Sequence, residues 1–587
     1  MAKDIKRKHI DDLLKTRDFS GILRLTQNFR INSNSPEHRA IGYAIAISLI
    51  ASNKIKESIA IFQSFIHKST AVSEVEHWDN FLKLLTASKN LRLLHDSITQ
   101  AAKYFPQSES IAVHQARFCR KQRLSYEAIA ALKRITQPIS VEWHTEMVNC
   151  FVEIRCVPDA AEIVKRHWSD FSRDPNFAVA AMKATTRDLD SETLSIQIAE
   201  CTELFPKNAH VLRQCAISLA SLGRSVESTS IYQTLLTKNI SYELKSTIIY
   251  VISNQAPQSI TIEQIRTILQ TQRERISHTA VGNLKFAEAN VHKYVKNWPN
   301  YVQAIHTANQ EKLKSFANSK IDFDLLHDQA RQLEVKTTRV TPLQQNHYPP
   351  VVFIIGLPRC GSTVVAKAVS EMYNAHNVEE SSVLPQLIKE FELLKPETAL
   401  TQDLLSHIQE EYYRRIPSSG ATSPFDQQSV IVDKTLSNYL YIHLIKKVFF
   451  QSLIICMERN RKQHVWSMYK VNFHSPFQHF TFSPNGIHRQ FNYFEETITR
   501  AKSLNSQIKT LVLEDFRQKP QLHLADLFRD ISWIKPAQPS QVPRRNQISL
   551  TASSQQIRQS VSSDADPSVD VAYQLLHDLD DAERGGP

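Results

Sequence analysis

Five consecutive apolar residues, Val351, Val352, Phe353, Ile354 and Ile355, run directly into a loop bounded by Gly356 and Gly361, with Ser362 and Thr363 immediately behind it. An unbroken, mostly β-branched run of this kind predicts a strand covered on both faces, which means a parallel sheet flanked by helices. Val364, Val365, Ala368, Val369 and Met372 then share one helical face. Strand, glycine turn and helix start commit this half of the chain to an α/β architecture. They also build a seat for an anion, because backbone N–H groups and the positive end of a helix dipole converge on one spot.

The wording of the loop narrows the ligand. A phosphate loop that hydrolyses ATP or GTP needs a Lys directly after its second glycine, where this chain has Ser362; the basic residue comes earlier, at Arg359. That weakens an ATP-dependent kinase reading and suits a nucleotide whose terminal group moves without a metal.

At 587 residues the chain is too long for one core, so two or three domains are expected. A formal charge of +11, with 42% hydrophobic and 22% charged residues, describes a globular protein with a diffuse positive surface and an anionic ligand rather than a nucleic-acid partner. No apolar run approaches a membrane span, and the basic start MAKDIKRKH has no apolar stretch behind it, so a cytoplasmic location is expected. Seven scattered Cys, without CxxC or Cys/His spacing, predict reduced thiols and no metal site.

From about residue 5 to 340 the pattern is helical and close to repetitive. Pro36, Pro106, Pro138, Pro175 and Pro206 are spaced by 70, 32, 37 and 31 residues, near the 34-residue tetratricopeptide (TPR) period or its double. Three matching helix pairs follow Pro36, Pro106 and Pro206, each with small residues in its first helix and a Glu-Ser or Glu-Ala pair early in its second; residues 284–313 make a fourth. Such pairs bury their faces only by stacking, which predicts an α-solenoid with a groove for a protein or peptide.

GLPRCGST, residues 356–363, resembles the GxPRSGTT loop that holds the 5′-phosphosulfate of 3′-phosphoadenylyl sulfate (PAPS) in sulfotransferases, especially tyrosylprotein sulfotransferases and bacterial enzymes that fuse TPR repeats to such a domain. The resemblance implies PAPS as co-substrate, no metal, and binding through Arg359, Cys360, Gly361, Ser362 and Thr363. Glu380 lies 21 residues beyond Arg359, where that family carries its catalytic base, with Glu379 beside it. Ser382 replaces the family's Arg.

Two further segments carry the resemblance. SVIVDKTLSN is similar to a DKxPxN step and implies that Lys434, after a strand from Val430 to Val432, neutralises the departing bisphosphate. In SLIICMERNRKQHVWSMYKVNF, Arg459 and Ser467, eight apart, match the pair that grips the 3′-phosphate. Glu514 and Asp515 are read as structural, capping the helix and tying the sheet. ISLTASSQQIRQS resembles a segment that folds over the nucleotide, which implies that Ser553 assists Lys434 and that Arg558 contacts nucleotide; the acidic tail with Asp564 and Asp566 departs from the family's basic ending.

The expected organisation is therefore α plus α/β: a TPR-like α-solenoid over residues 1–343, then a P-loop-type sulfotransferase domain with a central parallel sheet over 344–587, its last ~25 residues irregular. The expected activity is sulfuryl transfer from PAPS to an acceptor hydroxyl, protein tyrosine among the acceptors, with the repeats presenting acceptor or partner. The alternative is a catalytically weak or inactive scaffold that works through its groove.

Overall fold

Pairs of consecutive helices fill the first half of the chain, and they repeat a local design. The pairs Pro36–Ala51 with Ile55–Phe65, Glu109–Lys121 with Ser125–Lys133, and Ala209–Ser221 with Ser225–Leu236 carry a fully buried alanine in the first helix, Ala46, Ala116 or Ala216. Twelve residues later the second helix places Ser58, Ala128 or Ser228, equally buried. The Ser58 and Ser228 hydroxyls donate to the Ala46 and Ala216 carbonyls, both at 2.8 Å. Small residues here let two helices approach until a side chain can reach the neighbouring backbone.

The turns repeat as well. Amide-to-carbonyl bonds spanning five residues close the first helix at Lys54 to Leu49, Leu124 to Cys119, Arg224 to Leu219 and Asn297 to His292, each 2.8–2.9 Å. This is the Schellman arrangement, which requires a left-handed residue just past the helix. Asn53, Gly223 and Lys296 fill that place with φ of 59°, 81° and 58°.

The computed structural model describes residues 7–122, 124–317, 321–344, 348–416, 430–504, 508–536 and 566–572. The chain forms two compact units, Met1–Ile154 and Arg155–Pro587. The first is helical throughout its described residues. The second opens with α1 (Val157–Phe171) and α2 (Pro175–Asp188), continues through further helices to Thr337, and then builds a sheet.

The sheet elements are β1 (Val351–Ile355), α3 (Ser362–Tyr373), β2 (His376–Asn377), α4 (Gln402–Arg415), β3 (Ile431–Asp433), β4 (Ser452–Glu458), α5 (Arg461–Tyr469) and β5 (Ile508–Val512). The order is β2-β3-β1-β4-β5 and every pairing is parallel, with Val351 opposite both Ile431 and Ser452. β1 is the central strand, which explains its five fully buried side chains. Val351, Phe353 and Ile355 face a core shared with Tyr301 and Ile305 of the helix Trp298–Ser315, while Val352 and Ile354 face Val365 and Val369 of α3. Burial of side chains this size is worth about 1.5–3 kcal/mol each.

After β1 the chain fills β2 and β3 on one side and then crosses to β4 on the other. The carboxyl ends of β3, β1 and β4 therefore meet at a reversal of strand order, where open α/β sheets take their ligands. β3 runs one residue later than the sequence pattern predicts, and the helix expected after Lys434 is a 3₁₀ segment, Leu436–Tyr441, before Ile442–Val448 becomes α-helical. The cause is local: Asp433 accepts the Thr435 amide at 2.8 Å and turns the chain before a helix can start. No helix among the described residues is long and apolar enough to cross a membrane.

Candidate functional site

The loop after β1 is shaped by its glycines and held from one side by α5. Gly361 has φ of 95° and caps α3; a Cβ there would lie 2.4 Å from Cδ1 of Leu513. Cys360 turns its thiol into the apolar layer beneath the loop, where burial pushes it up to about 11, and its amide donates to the Leu357 carbonyl at 3.2 Å. Its side chain is committed to packing, which leaves its backbone as the only part able to meet an anion. Ser362 and Thr363, both buried, form the first turn of α3, whose leading N–H groups have no partner within their own helix.

Arg359 adopts φ of 71°, a conformation that costs a residue with a side chain on the order of 1–3 kcal/mol and is kept where surroundings impose it. The surroundings are explicit. Arg459 Nη1 donates to the Arg359 carbonyl at 2.8 Å, and His464 Nε2 donates to the Pro358 carbonyl at 2.8 Å. Burial, with Arg459 adding repulsion, pulls the Arg359 guanidinium down to about 10. Burial likewise lowers Arg459. Two half-buried cations thus stand side by side at the loop, Arg459 with Glu514 4.0 Å from its Nε.

His464 carries a proton on Nε2, since a carbonyl only accepts, and burial depresses the ring to about 4. A folded pKa below the ordinary His value means the unfolded chain binds more protons between about 6.5 and about 4. The stabilising contribution is complete above that window and is lost as the pH falls through it. His464→Gln, which keeps a donor, is expected to flatten the melting temperature against pH between 6.5 and 4 relative to wild type.

Arg459 directly follows β4, and Asn460 then caps α5 by accepting the Gln463 amide at 3.2 Å. Glu514 does not cap its own helix; its carboxylate accepts the Asn460 amide at 3.2 and 3.3 Å and lies 4.0 Å from Arg459 Nε. Ser467 is buried on α5. Residues 566–572 lie along the same helix: Ser568 accepts from Trp466 Nε1 at 2.9 Å, Asp570 pairs with Lys462 at 2.8 Å, and Asp566 pairs with Lys470. The acid at 566 thus neutralises the lysine that caps α5. Ser553, Arg558 and Asp564 lie outside the described residues.

Beyond β3 sits the most constrained cation of the sheet. Lys434 is 0% exposed, and its Nζ lies 2.8 Å from Glu379 and 3.4 Å from Glu380. Burial alone would pull the amine down, but the two carboxylates more than offset it and hold it above the usual lysine range. Its own amide donates to the Glu379 carbonyl at 3.1 Å. Glu379 is buried, left-handed at φ of 58° and braced by Asn377, whose side chain bonds both its amide and its carboxylate. Glu380 differs: its side chain is 42% exposed. Buried Asp433 braces the step, accepting from Tyr412 at 2.7 Å, Ser381 at 3.1 Å and the Thr435 amide; burial leaves its pKa raised.

The site thus brings Arg359, Gly361, Ser362, Thr363 and Arg459 to one loop, and Glu380 and Lys434 to the neighbouring strand end. Sequence pattern missed Asp433 and His464, whose roles depend on partners 21 and 106 residues away. It also missed Arg155 and Arg187, which line a recess with Glu380.

The chain is 24% identical over 300 residues to an uncharacterized protein of Aquifex aeolicus (strain VF5); the match covers 47% of this chain and 37% of that protein, so the chain spans little more than a third of its relative's length. Residues 350–533 match the model of the Sulfotransferase family, a span that contains β1 to β5, the loop, Glu380, Lys434 and Arg459. The chain carries a sulfotransferase-family domain over those residues.

Proposed function

We propose that the protein transfers the sulfuryl group of PAPS to an acceptor hydroxyl. The observation that carries this reading is Lys434, wholly buried and held between one buried and one exposed carboxylate at the strand end next to the loop. Glu380, the exposed partner, takes the proton of the attacking hydroxyl. The acceptor oxygen forms a bond to sulfur while the bond from sulfur to the bridging phosphate oxygen breaks. The electron pair leaves with the 3′,5′-bisphosphate, and Lys434 stabilises that charge. The loop of residues 359–363 and α3 seat the phosphosulfate, and Arg459 with Ser467 takes the 3′-phosphate; Ser553 and Arg558 remain assigned to the nucleotide by resemblance. Glu379 keeps Lys434 charged.

The division of labour follows the sequence: residues 1–343 as TPR-like repeats that present an acceptor, protein tyrosine among them, or a partner, and 344–587 as the transferase. The pairing of Asp566 with Lys470 favours a second reading, a weak or inactive scaffold, because it places negative charge on the helix that carries Ser467.

Calorimetric titration with 3′,5′-bisphosphoadenosine and ATP, together with labelled-sulfate transfer from PAPS, separates the two. The transferase predicts binding of the first nucleotide at least about tenfold tighter than ATP, and a further loss of about tenfold or more in Arg459→Ala. Glu380→Gln should retain nucleotide affinity and lose about 10²–10⁴ in transfer rate. Nucleotide binding without transfer by wild type supports the scaffold; absence of nucleotide binding removes the transferase.

A further inference from the structure

We propose that residues 566–572 form an autoinhibitory strap: Asp566 occupies Lys470 as an internal anion, and a phosphate group of the nucleotide has to take its place for binding at full strength. Lys470 is then a further phosphate-binding residue. The inference deepens the transferase reading and rests on the loop of residues 359–363 as the nucleotide's seat.

Lys470 caps α5 and shares the electrostatic field of that loop. Burial pulls its amine down, Asp566 opposes the effect, and Lys293 and Arg359 add repulsion. Burial lowers Arg459 as well, with Glu514 and Asp566 among the opposing charges. Arg359 and Arg459 already repel each other. Three cations held partly out of water thus surround the loop, and Asp566 is the carboxylate that the strap adds to them. Glu514, the other acid near Arg459, is committed to the Asn460 amide. A single carboxylate in such a field is a weak occupant, because a phosphate brings about two charges and more acceptor oxygens.

The strap is held at two points of different kinds. Its middle is packed and hydrogen-bonded: Ser568 and Ala572 are fully buried, and Ser568 accepts from Trp466 Nε1 at 2.9 Å. Its first residue is held by charge. One Asp566 oxygen pairs with Lys470, and the other accepts the Ser568 amide at 3.0 Å, so the same carboxylate caps the turn and reaches the lysine. The pair of Asp570 with Lys462, at the start of α5, is exposed and contributes little. A strap built this way opens from the Asp566 end. While it is closed, the apparent affinity of the nucleotide is reduced to the fraction of molecules whose lysine is free.

The test titrates the full chain with 3′,5′-bisphosphoadenosine by calorimetry. Asp566→Asn keeps an oxygen for the Ser568 amide and removes the charge, and it should bind the nucleotide about tenfold tighter than wild type or better. Asp566→Asn/Lys470→Gln should lose that gain, and Asp570→Asn, which removes an exposed charge of the same strap, should match wild type within about twofold. Hydrogen exchange on wild type covers the case in which Asp566→Asn fails to fold: saturating bisphosphoadenosine should speed exchange of the Ser568 amide, whose acceptor is Asp566, by about tenfold or more. Unchanged or weaker affinity in Asp566→Asn, a gain that survives in the double variant, an equal gain in Asp570→Asn, or unchanged or slower exchange at Ser568 would overturn the strap. Failure of the transferase reading has a different signature: wild type and every variant leave bisphosphoadenosine unbound, and the same comparison run with inorganic pyrophosphate still decides the strap.

Discussion

Lys434→Met is expected to lower the stability of the folded protein by about 3–5 kcal/mol, the usual cost of leaving one member of a buried ion pair alone, and to abolish sulfuryl transfer. The loss in stability arises at Glu379, buried and braced by Asn377, which would lose its nearest cation. The loss in transfer arises on the leaving group, which would depart without a counter-charge. The two effects separate in the double variant Lys434→Met/Glu379→Gln. Urea unfolding should show most of the stability restored, because no unpaired charge remains inside, whereas transfer stays absent. Restored transfer in the double variant would mean that the amine acts only through Glu379.

Gly361→Ala should be the most damaging single-atom change in the loop. A left-handed φ costs an alanine about 1–2 kcal/mol, and the added methyl would have to displace Leu513, a fully buried residue at the start of the helix Leu513–Gln518, for about 1–3 kcal/mol more. Because Gly361 also sets the direction of α3, nucleotide affinity should fall by about tenfold or more. A double-mutant cycle with Leu513→Ala isolates the contact: coupling of about 1–3 kcal/mol is expected in thermal or urea unfolding, and additivity would show that the backbone conformation alone carries the effect.

The parts of the site that could be read from sequence are those carried by contiguous residues. Five apolar residues followed by two glycines mark β1, its loop and α3 because a central parallel strand leaves no polar alternation to confuse the pattern. Lys434 and Arg459 were singled out by resemblance to the family's motifs and not by pattern; each directly follows an apolar strand, a place that by itself says nothing of function. β2 was not legible, since two polar-leaning residues, His376 and Asn377, form a strand only by pairing with β3. Of the two roles read for Glu514, tying the sheet agrees with its bond to the Asn460 amide, 54 residues earlier and just past β4, whereas the capping role does not, because an acid in a helix's first turn reads as a cap whether or not it bonds there. Arg155 and Arg187 gave no signal at all: within their helices they are ordinary basic residues, and only tertiary packing brings them to Glu380.

The core that Val351, Phe353 and Ile355 share with Tyr301 and Ile305 bears on how such proteins can be divided. Asn309 reinforces that seam through its bond to the Tyr469 carbonyl at 2.8 Å, as does Asn472 through its bond to Asn283 at 2.9 Å. A gene fragment starting at residue 344 would express a sheet with one greasy side stripped, prone to clump in the cell, whereas one starting at 155 would take its upholstery along. Recombination that exchanges helical modules between related chains would then have to cut upstream of the last helical hairpins, leaving those as permanent fittings of the half that holds the sheet.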